Sequence, residues 1–256
     1  MAILDLFRLD GRTAVVTGCR RGIGRAFAVA LAEAGADIVG VSRALEPRGS
    51  AVEGEVRARG RCFAAYACDL ADAAARREFV SRVRRDVPRV DILVNNAGII
   101  RRRPAADFAD ADWDDTVRLN LDAQFVLARE FGRDMVARGA GKIVFTASVL
   151  SFQGGITVPA YAATKGAVAQ LVKALANEWA AHGVNVNAIA PGYVRTDATR
   201  ALQEDPERHQ QIVARIPAGR WGRPADLGGA LVFLCSDAAA YVHGTTLVVD
   251  GGWLGR

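Results

Sequence analysis

The chain has 256 residues, 51% of them apolar, which is enough for one large buried core or two small ones. Its 33 Lys and Arg outnumber 28 Asp and Glu to give a net charge of +5, but the basic residues are interleaved with acidic ones, so the charge reads as a solvated surface and not as a nucleic-acid footprint. No uninterrupted apolar run of about 18 residues occurs, and "MAILDLFRLDGRTAVV" lacks the basic start and cleavage site of a secretory leader, so no membrane span is expected and the cytoplasm is the expected location.

"TAVVT" predicts a first strand over Thr13–Thr17, followed by "TGCRRGIGRAFAVALAEAGA", a turn running into a helix. Gly18, Gly22 and Gly24 stand in that turn, with Arg21 and Ile23 between them. Glycines let a backbone approach a pyrophosphate, and a helix start offers free N–H groups and partial positive charge. The G-x3-G-x-G spacing differs from the commonest dinucleotide fingerprint, but its place after the first strand points to a nucleotide. "DIVGVS" predicts a second strand over Asp37–Ser42. Asp37 opens that strand, whereas ligands of such sheets bind beyond the carboxyl ends, so Asp37 is a poor ribose partner. Ser42 and Arg43 stand at the correct end and offer no carboxylate to repel a 2'-phosphate; with Arg21 they lean towards NADP(H) over NAD(H).

Further strands are expected at "CFAAYA" (62–67), "DILVNN" (91–96), "KIVFTA" (142–147), "VNVNAIA" (184–190) and "TLVVD" (246–250). Short apolar strands alternating with helical stretches define an α/β chain built on a doubly wound parallel sheet covered on both faces. No linker, repeat or composition shift divides it, so residues 1–256 are expected to form a single domain. The stretch from about 191 to 224 has no clear periodicity and is expected to be a lid over the site, with "LQEDPERHQQIVARI" supplying one or two short helices. Cys19, Cys62, Cys68 and Cys235 form no CxxC pair, and His182, His209 and His243 stand apart, so neither a disulfide framework nor a metal site is expected.

Chemistry concentrates after the fifth strand. Ser148 follows that strand at the crevice end, where its hydroxyl can donate to a substrate oxygen. Tyr161 and Lys165 are four apart in "YAATKGAVAQLVKALANEWA", on one face of a predicted helix. An ammonium beside a phenol stabilises the tyrosinate and is expected to lower its pKa, preparing it for proton transfer. Lysine is rare here, with Lys142, Lys165 and Lys173 the only examples, so a lysine beside a tyrosine stands out. Gln153 lies on the loop between Ser148 and Tyr161, and Arg101 and Arg102 follow the fourth strand; an amide and a guanidinium suit hydroxyls and a carboxylate.

Taken together, "TGCRRGIG", Asp69 in "CDL", "NNAG", Asn120 in "VRLNLDAQF", Ser148, "YAATK" and "PGYVRT" resemble the short-chain dehydrogenase/reductase family over nearly the whole chain. The resemblance implies a catalytic tetrad of Asn120, Ser148, Tyr161 and Lys165. It also implies cofactor contacts at Asp69, Leu70, Asn96, Ala97, Gly98, Pro191, Gly192, Val194 and Thr196. The longer matches "AGIIRR", "SFQGGITVPAYAATK", "IPAGRWGRPADL" and "DGGWLGR" are similar to its sugar-acid branch. That implies interconversion of a C5 hydroxyl and ketone on a 3-deoxy-hexonate, with a carboxylate at Arg101 or Arg102 and hydroxyls at Gln153. The branch is largely NAD-linked while "VSRALEP" is basic, so the nucleotide stays open as NAD(P). Gluconate oxidation at C5, reduction of a 3-oxoacyl thioester, and a cofactor-binding scaffold without catalysis are the competing expectations. The resemblance further implies a homotetramer, with Trp253 and Leu254 packed near a neighbour; a tail folded onto its own domain is the alternative.

Overall fold

A computed structural model describes residues 2–256 and contains one seven-stranded sheet, all parallel, in the order β3-β2-β1-β4-β5-β6-β7. The strands are β1 (Thr13–Thr17), β2 (Asp37–Ser42), β3 (Phe63–Ala67), β4 (Ile92–Asn95), β5 (Gly141–Thr146), β6 (Val184–Pro191) and β7 (Thr246–Val249). Each falls within about two residues of the stretch its sequence marks. Alternation along the strands sends side chains to two separate cores. Val15, Val39, Leu93, Ile143 and Val186 meet Phe79, Phe131, Met135 and Val172 on one face, under α3 (Ala73–Asp86), α5 (Ala123–Arg138) and α6 (Pro159–Trp179). Ala14, Val16, Ile38, Ile92 and Val144 meet Phe27, Leu31, Val56 and Leu231 on the other. That second face is covered by α1 (Gly22–Glu33), α2 (Ala51–Arg57) and α9 (Gly228–Cys235).

Helix boundaries follow local chemistry. Asp72 accepts the backbone N–H groups of Ala74 and Ala75 at 2.7 and 2.8 Å, which caps α3. Pro159 opens α6 at a position whose N–H would be unpaired in any case. α1 has no side-chain cap at its N-terminus, so its free N–H groups face the crevice without an internal partner. α4 (Asp110–Val117) runs into α5 through a π-helical turn, Arg118–Asp122, that carries Asn120.

Between Pro191 and Pro224 lie α7 (Arg200–Glu204) and α8 (Pro206–Arg215), the two short helices of the expected lid. Their core is Ile212, Ile216, Trp221 and Trp253 with Val149, packed against Tyr193. Trp253 is only 4% exposed and lies 4.6 Å from the Tyr193 ring, so the tail folds onto its own chain. No helix among the described residues is long and apolar enough to cross a membrane.

Candidate active site

The strand order reverses between β1 and β4, and the crevice beyond their carboxyl ends is where such sheets hold ligands. Thr17 fastens this point: its hydroxyl oxygen accepts the Asn96 and Ala97 backbone N–H groups, both at 2.8 Å, and donates to the Val94 carbonyl at 3.2 Å. Asn96 then donates from Nδ2 to the Thr17 carbonyl at 3.0 Å and accepts from Thr146 at 3.3 Å. The ends of β1, β4 and β5 are thereby held in one network.

Gly18 turns the chain out of β1 with φ +69°, a conformation that side chains rarely adopt. A Cβ on Gly24 would lie 2.2 Å from the Gly18 carbonyl oxygen, so the first turn of α1 closes only on a glycine there. Ile23, between them, packs against the α1-side core. The uncapped helix start and the glycines at 18, 22 and 24 form a cradle that fits a dinucleotide pyrophosphate. Pro191 and Gly192 leave β6 on the opposite wall, Val194 bridges to Gly222, and Thr196 begins the turn into the lid. A space of about 360 Å³ lies between Gly22 and Arg195, Thr196, Asp197, Arg200 and Gln203. A second groove, of about 960 Å³, runs along the outer side of α1 and α9 and touches none of the Ser–Tyr–Lys group.

At the carboxyl end of β2, Ser42 Oγ accepts the Arg20 backbone N–H at 3.2 Å. Arg43 is exposed and makes no ion pair among the described residues. Arg21 is directed elsewhere than the sequence reading placed it, pairing at 3.1 Å with Asp197, which lies between β6 and α7. Arg20 is the arginine on the Ser42 side, and Glu46 holds it at 2.6 Å. Asp37 accepts the Cys62 backbone N–H at 2.7 Å and sits at the wrong end of its strand for ribose. Asp69 accepts the Ala71 N–H at 3.0 Å, which shapes the turn after β3, and Leu70 is buried beside it.

Asn120 is fully buried in its π-helical turn. It accepts the Ile99 N–H and donates to the Ile99 carbonyl, both at 2.8 Å, and its Nδ2 lies 3.5 Å from Thr164. A Cβ on Gly98 would stand 3.1 Å from Asn120 Oδ1, which explains the small residue at the close of "NNAG". Ser148, buried just past β5, accepts the Leu150 N–H at 3.1 Å. Lys165 is 2% exposed, its Nζ 5.5 Å from the Tyr161 ring centroid and donating to the Thr146 carbonyl. Burial lowers its pKa to about 8. Tyr161 differs from the expectation: burial raises its pKa, while a hydrogen bond from Ser148 and the charge of Arg102 act the other way. The ammonium that was to lower it is engaged by Thr146 instead.

The two arginines of the fourth crossover separate. Arg101 faces Asp112 at 3.5 Å, while Arg102 has no ion-pair partner among the described residues. Arg102 is exposed, yet desolvation of its guanidinium pulls its pKa down, while Tyr161 and Tyr193 act in the opposite sense. Gln153 Oε1 accepts from Arg215 of α8 at 3.2 Å. Sequence reasoning missed Thr17, Thr146, Tyr193 and Arg215. The first two had a legible signal, a hydroxyl residue at or beside the carboxyl end of a predicted strand; Arg215, 62 positions from Gln153, had none.

A parallel sheet with a glycine cradle at its reversal point, opening onto a serine, tyrosine and lysine, is the framework of a nicotinamide-dependent oxidoreductase. The chain belongs to the short-chain dehydrogenase/reductase family, and the family model described as enoyl-(acyl carrier protein) reductase matches residues 18–254. It is similar to the 2-dehydro-3-deoxy-D-gluconate 5-dehydrogenase of Pseudoalteromonas atlantica, 60% identical over 99% of this chain and 100% of that one. The gluconate 5-dehydrogenase of Gluconobacter oxydans is 43% identical over 97% of this chain and 96% of its own length. Among solved structures, a gluconate 5-dehydrogenase from Burkholderia cenocepacia in complex with NADP and tartrate superposes with a TM-score of 0.94 at 43% identity, covering 100% of both chains.

Proposed function

We propose that the protein oxidises the C5 hydroxyl of 2-dehydro-3-deoxy-D-gluconate, or reduces the corresponding ketone, with NAD(P) as hydride carrier. The observation that carries this reading is Arg102, an exposed guanidinium on the loop that follows β4, without a carboxylate partner among the described residues and with its charge felt by Tyr161. A substrate that brings its own carboxylate matches that guanidinium; an acyl thioester brings none. The Pseudoalteromonas relative acts on this sugar acid by its name, and the full-length identity supports the same substrate here. C5 oxidation of gluconate is the second reading, favoured by the Gluconobacter relative and by the tartrate in the Burkholderia complex.

In this mechanism bound NAD(P) supplies or accepts the hydride. Gly18, Gly22 and Gly24 would leave room for its pyrophosphate, Asp69 and Leu70 would border the adenine, and Asn96, Ala97 and Gly98, next to Gly18, would form the cofactor-side wall. Ser148 donates to the substrate oxygen and Tyr161 gives or takes the proton at that oxygen. Lys165, its Nζ 5.5 Å from the Tyr161 ring centroid, supports Tyr161 through its charge, and Asn120, fixed by Ile99, orders the proton path behind Lys165. Arg102 holds the carboxylate. Arg43, beside Ser42 and without an ion pair among the described residues, supports NADP(H), as does NADP in the Burkholderia complex.

Residues 1–256 act as one unit with the lid over about 191–224. Exposed Tyr241 and Val248 beside edge strand β7, and Trp113 and Phe125 on α4 and α5, support burial in a homotetramer. Unpaired Cys19, Cys62, Cys68 and Cys235 suit the cytoplasm. The test is an initial-rate comparison of 2-dehydro-3-deoxy-D-gluconate, gluconate and a reduced 3-oxoacyl thioester, each with NAD+ and NADP+. Turnover of the deoxy sugar acid at the highest kcat/KM is expected; preference for the thioester would overturn the reading.

A further inference from the structure

Arg215 closes α8 and touches two distant parts of the chain. Its guanidinium donates to Gln153 Oε1 at 3.2 Å and lies 4.0 Å over the centroid of the Trp253 ring. Trp253 in turn packs on Tyr193, which follows β6. The lid, the C-terminal tail and the loop between Ser148 and Tyr161 therefore meet at one side chain.

This contact decides what Gln153 offers. A guanidinium has five donors and no acceptor, so the amide atom facing it must be the carbonyl oxygen. The Gln153 amide nitrogen makes no hydrogen bond to any other described residue. Its two N–H groups are therefore fixed as donors and remain available to a ligand. Without Arg215 the amide would rotate freely and present either an acceptor or a donor.

We propose that Arg215 is a positioning residue that locks Gln153 as a hydrogen-bond donor, aiming its N–H groups at an acceptor oxygen of the substrate. Stacking on Trp253 holds the arginine in place, so the lid must be seated before the amide is oriented. This rests on the sugar-acid reading for the identity of the substrate, but the contact itself does not.

Two measurements separate these. Steady-state kinetics with 2-dehydro-3-deoxy-D-gluconate are compared for the wild type, Arg215→Met, Arg215→Lys and Gln153→Glu. In parallel, hydrogen exchange of backbone amides 151–153 is followed in the NADP+-loaded, sugar-free protein. Arg215→Met is expected to raise KM about tenfold while kcat changes by less than about twofold, as loss of ground-state positioning does. Arg215→Lys, still a cationic donor, is expected to restore most of the KM. Gln153→Glu keeps a partner for Arg215 but removes the donors, and is expected to raise KM at least as much. Exchange at 151–153 is expected to rise at least about threefold in Arg215→Met and not in Arg215→Lys. An unchanged KM, or a raised KM with unchanged exchange, would overturn the positioning role, the latter because Arg215 would then act on the substrate directly. Faster exchange in an enzyme that turns over no sugar acid would uphold the latch and sink the substrate reading instead.

Discussion

Lys165 carries a burial penalty that only function explains. Its folded pKa of about 8 lies below the ordinary 10.5, so between those values the unfolded chain holds one more proton than the folded one, and stability rises with pH. Below pH 8 the buried ammonium costs up to about 3 kcal/mol, offset in part by its bond to Thr146. Lys165→Met is therefore expected to be more stable than the wild type by about 1–2 kcal/mol at pH 7, with the margin shrinking as the pH is raised from about 8 to 10. Thermal melts at both pH values check this, and turnover should fall at least about a hundredfold in the same variant. Arg102→Met is expected to raise KM for the sugar acid about 10–100-fold with a smaller change in kcat, since a charge-assisted contact is lost. Arg43→Ala should weaken NADP+ about tenfold and leave NAD+ nearly unaffected, as read from their separate KM values. Ser148, Tyr161 and Lys165 were legible in the sequence because a strand end and a four-residue helical spacing put them in one place. The division of labour between Arg101 and Arg102, and the turn of Arg21 towards Asp197, were not, since each depends on which carboxylate of a distant element lies within reach.

At the scale of elements, the strands were readable because a sheet covered on both faces needs continuous apolar runs; the apolar run 230–235 of α9 folds as a helix all the same. The glycine turn was readable for a similar reason, and its closure is testable. Gly24→Ala would drive a methyl to 2.2 Å from the Gly18 carbonyl, a backbone atom that cannot swing away. The variant should lose nucleotide binding measured by fluorescence titration and unfold at a lower temperature than the wild type. The π-helical turn at Asn120 left no mark in composition, because it comes from how α4 and α5 meet the Ile99 backbone. Thr157, at φ +62° on the loop before Tyr161, was equally invisible, a β-branched residue in a region that asparagine tolerates better. Its carbonyl accepts the Arg103 N–H at 2.8 Å, tying the arginine segment to the catalytic loop. Thr157→Asn should raise stability by about 1 kcal/mol in denaturant melts while keeping that tie.

Seen as a whole molecule, the chain places a nucleotide cradle and a Ser–Tyr–Lys group at the carboxyl ends of the central strands, and packs the tail against α8 and Tyr193. Light scattering should return about four chains per particle if Tyr241, Val248, Trp113 and Phe125 are buried between copies, and a monomer would argue against that assembly. The central claim is that Tyr161 exchanges the proton while the deoxy sugar acid, held at Arg102, exchanges hydride with the nicotinamide. Its most direct test is the rate of NADP+ and NAD+ reduction by 2-dehydro-3-deoxy-D-gluconate, in wild type and Tyr161→Phe, with nucleotide affinity measured alongside. Rapid wild-type turnover that falls at least about a thousandfold in the variant, with nucleotide affinity unchanged, is the expected result. Comparable turnover in Tyr161→Phe, or none in the wild type with either nucleotide, would contradict it.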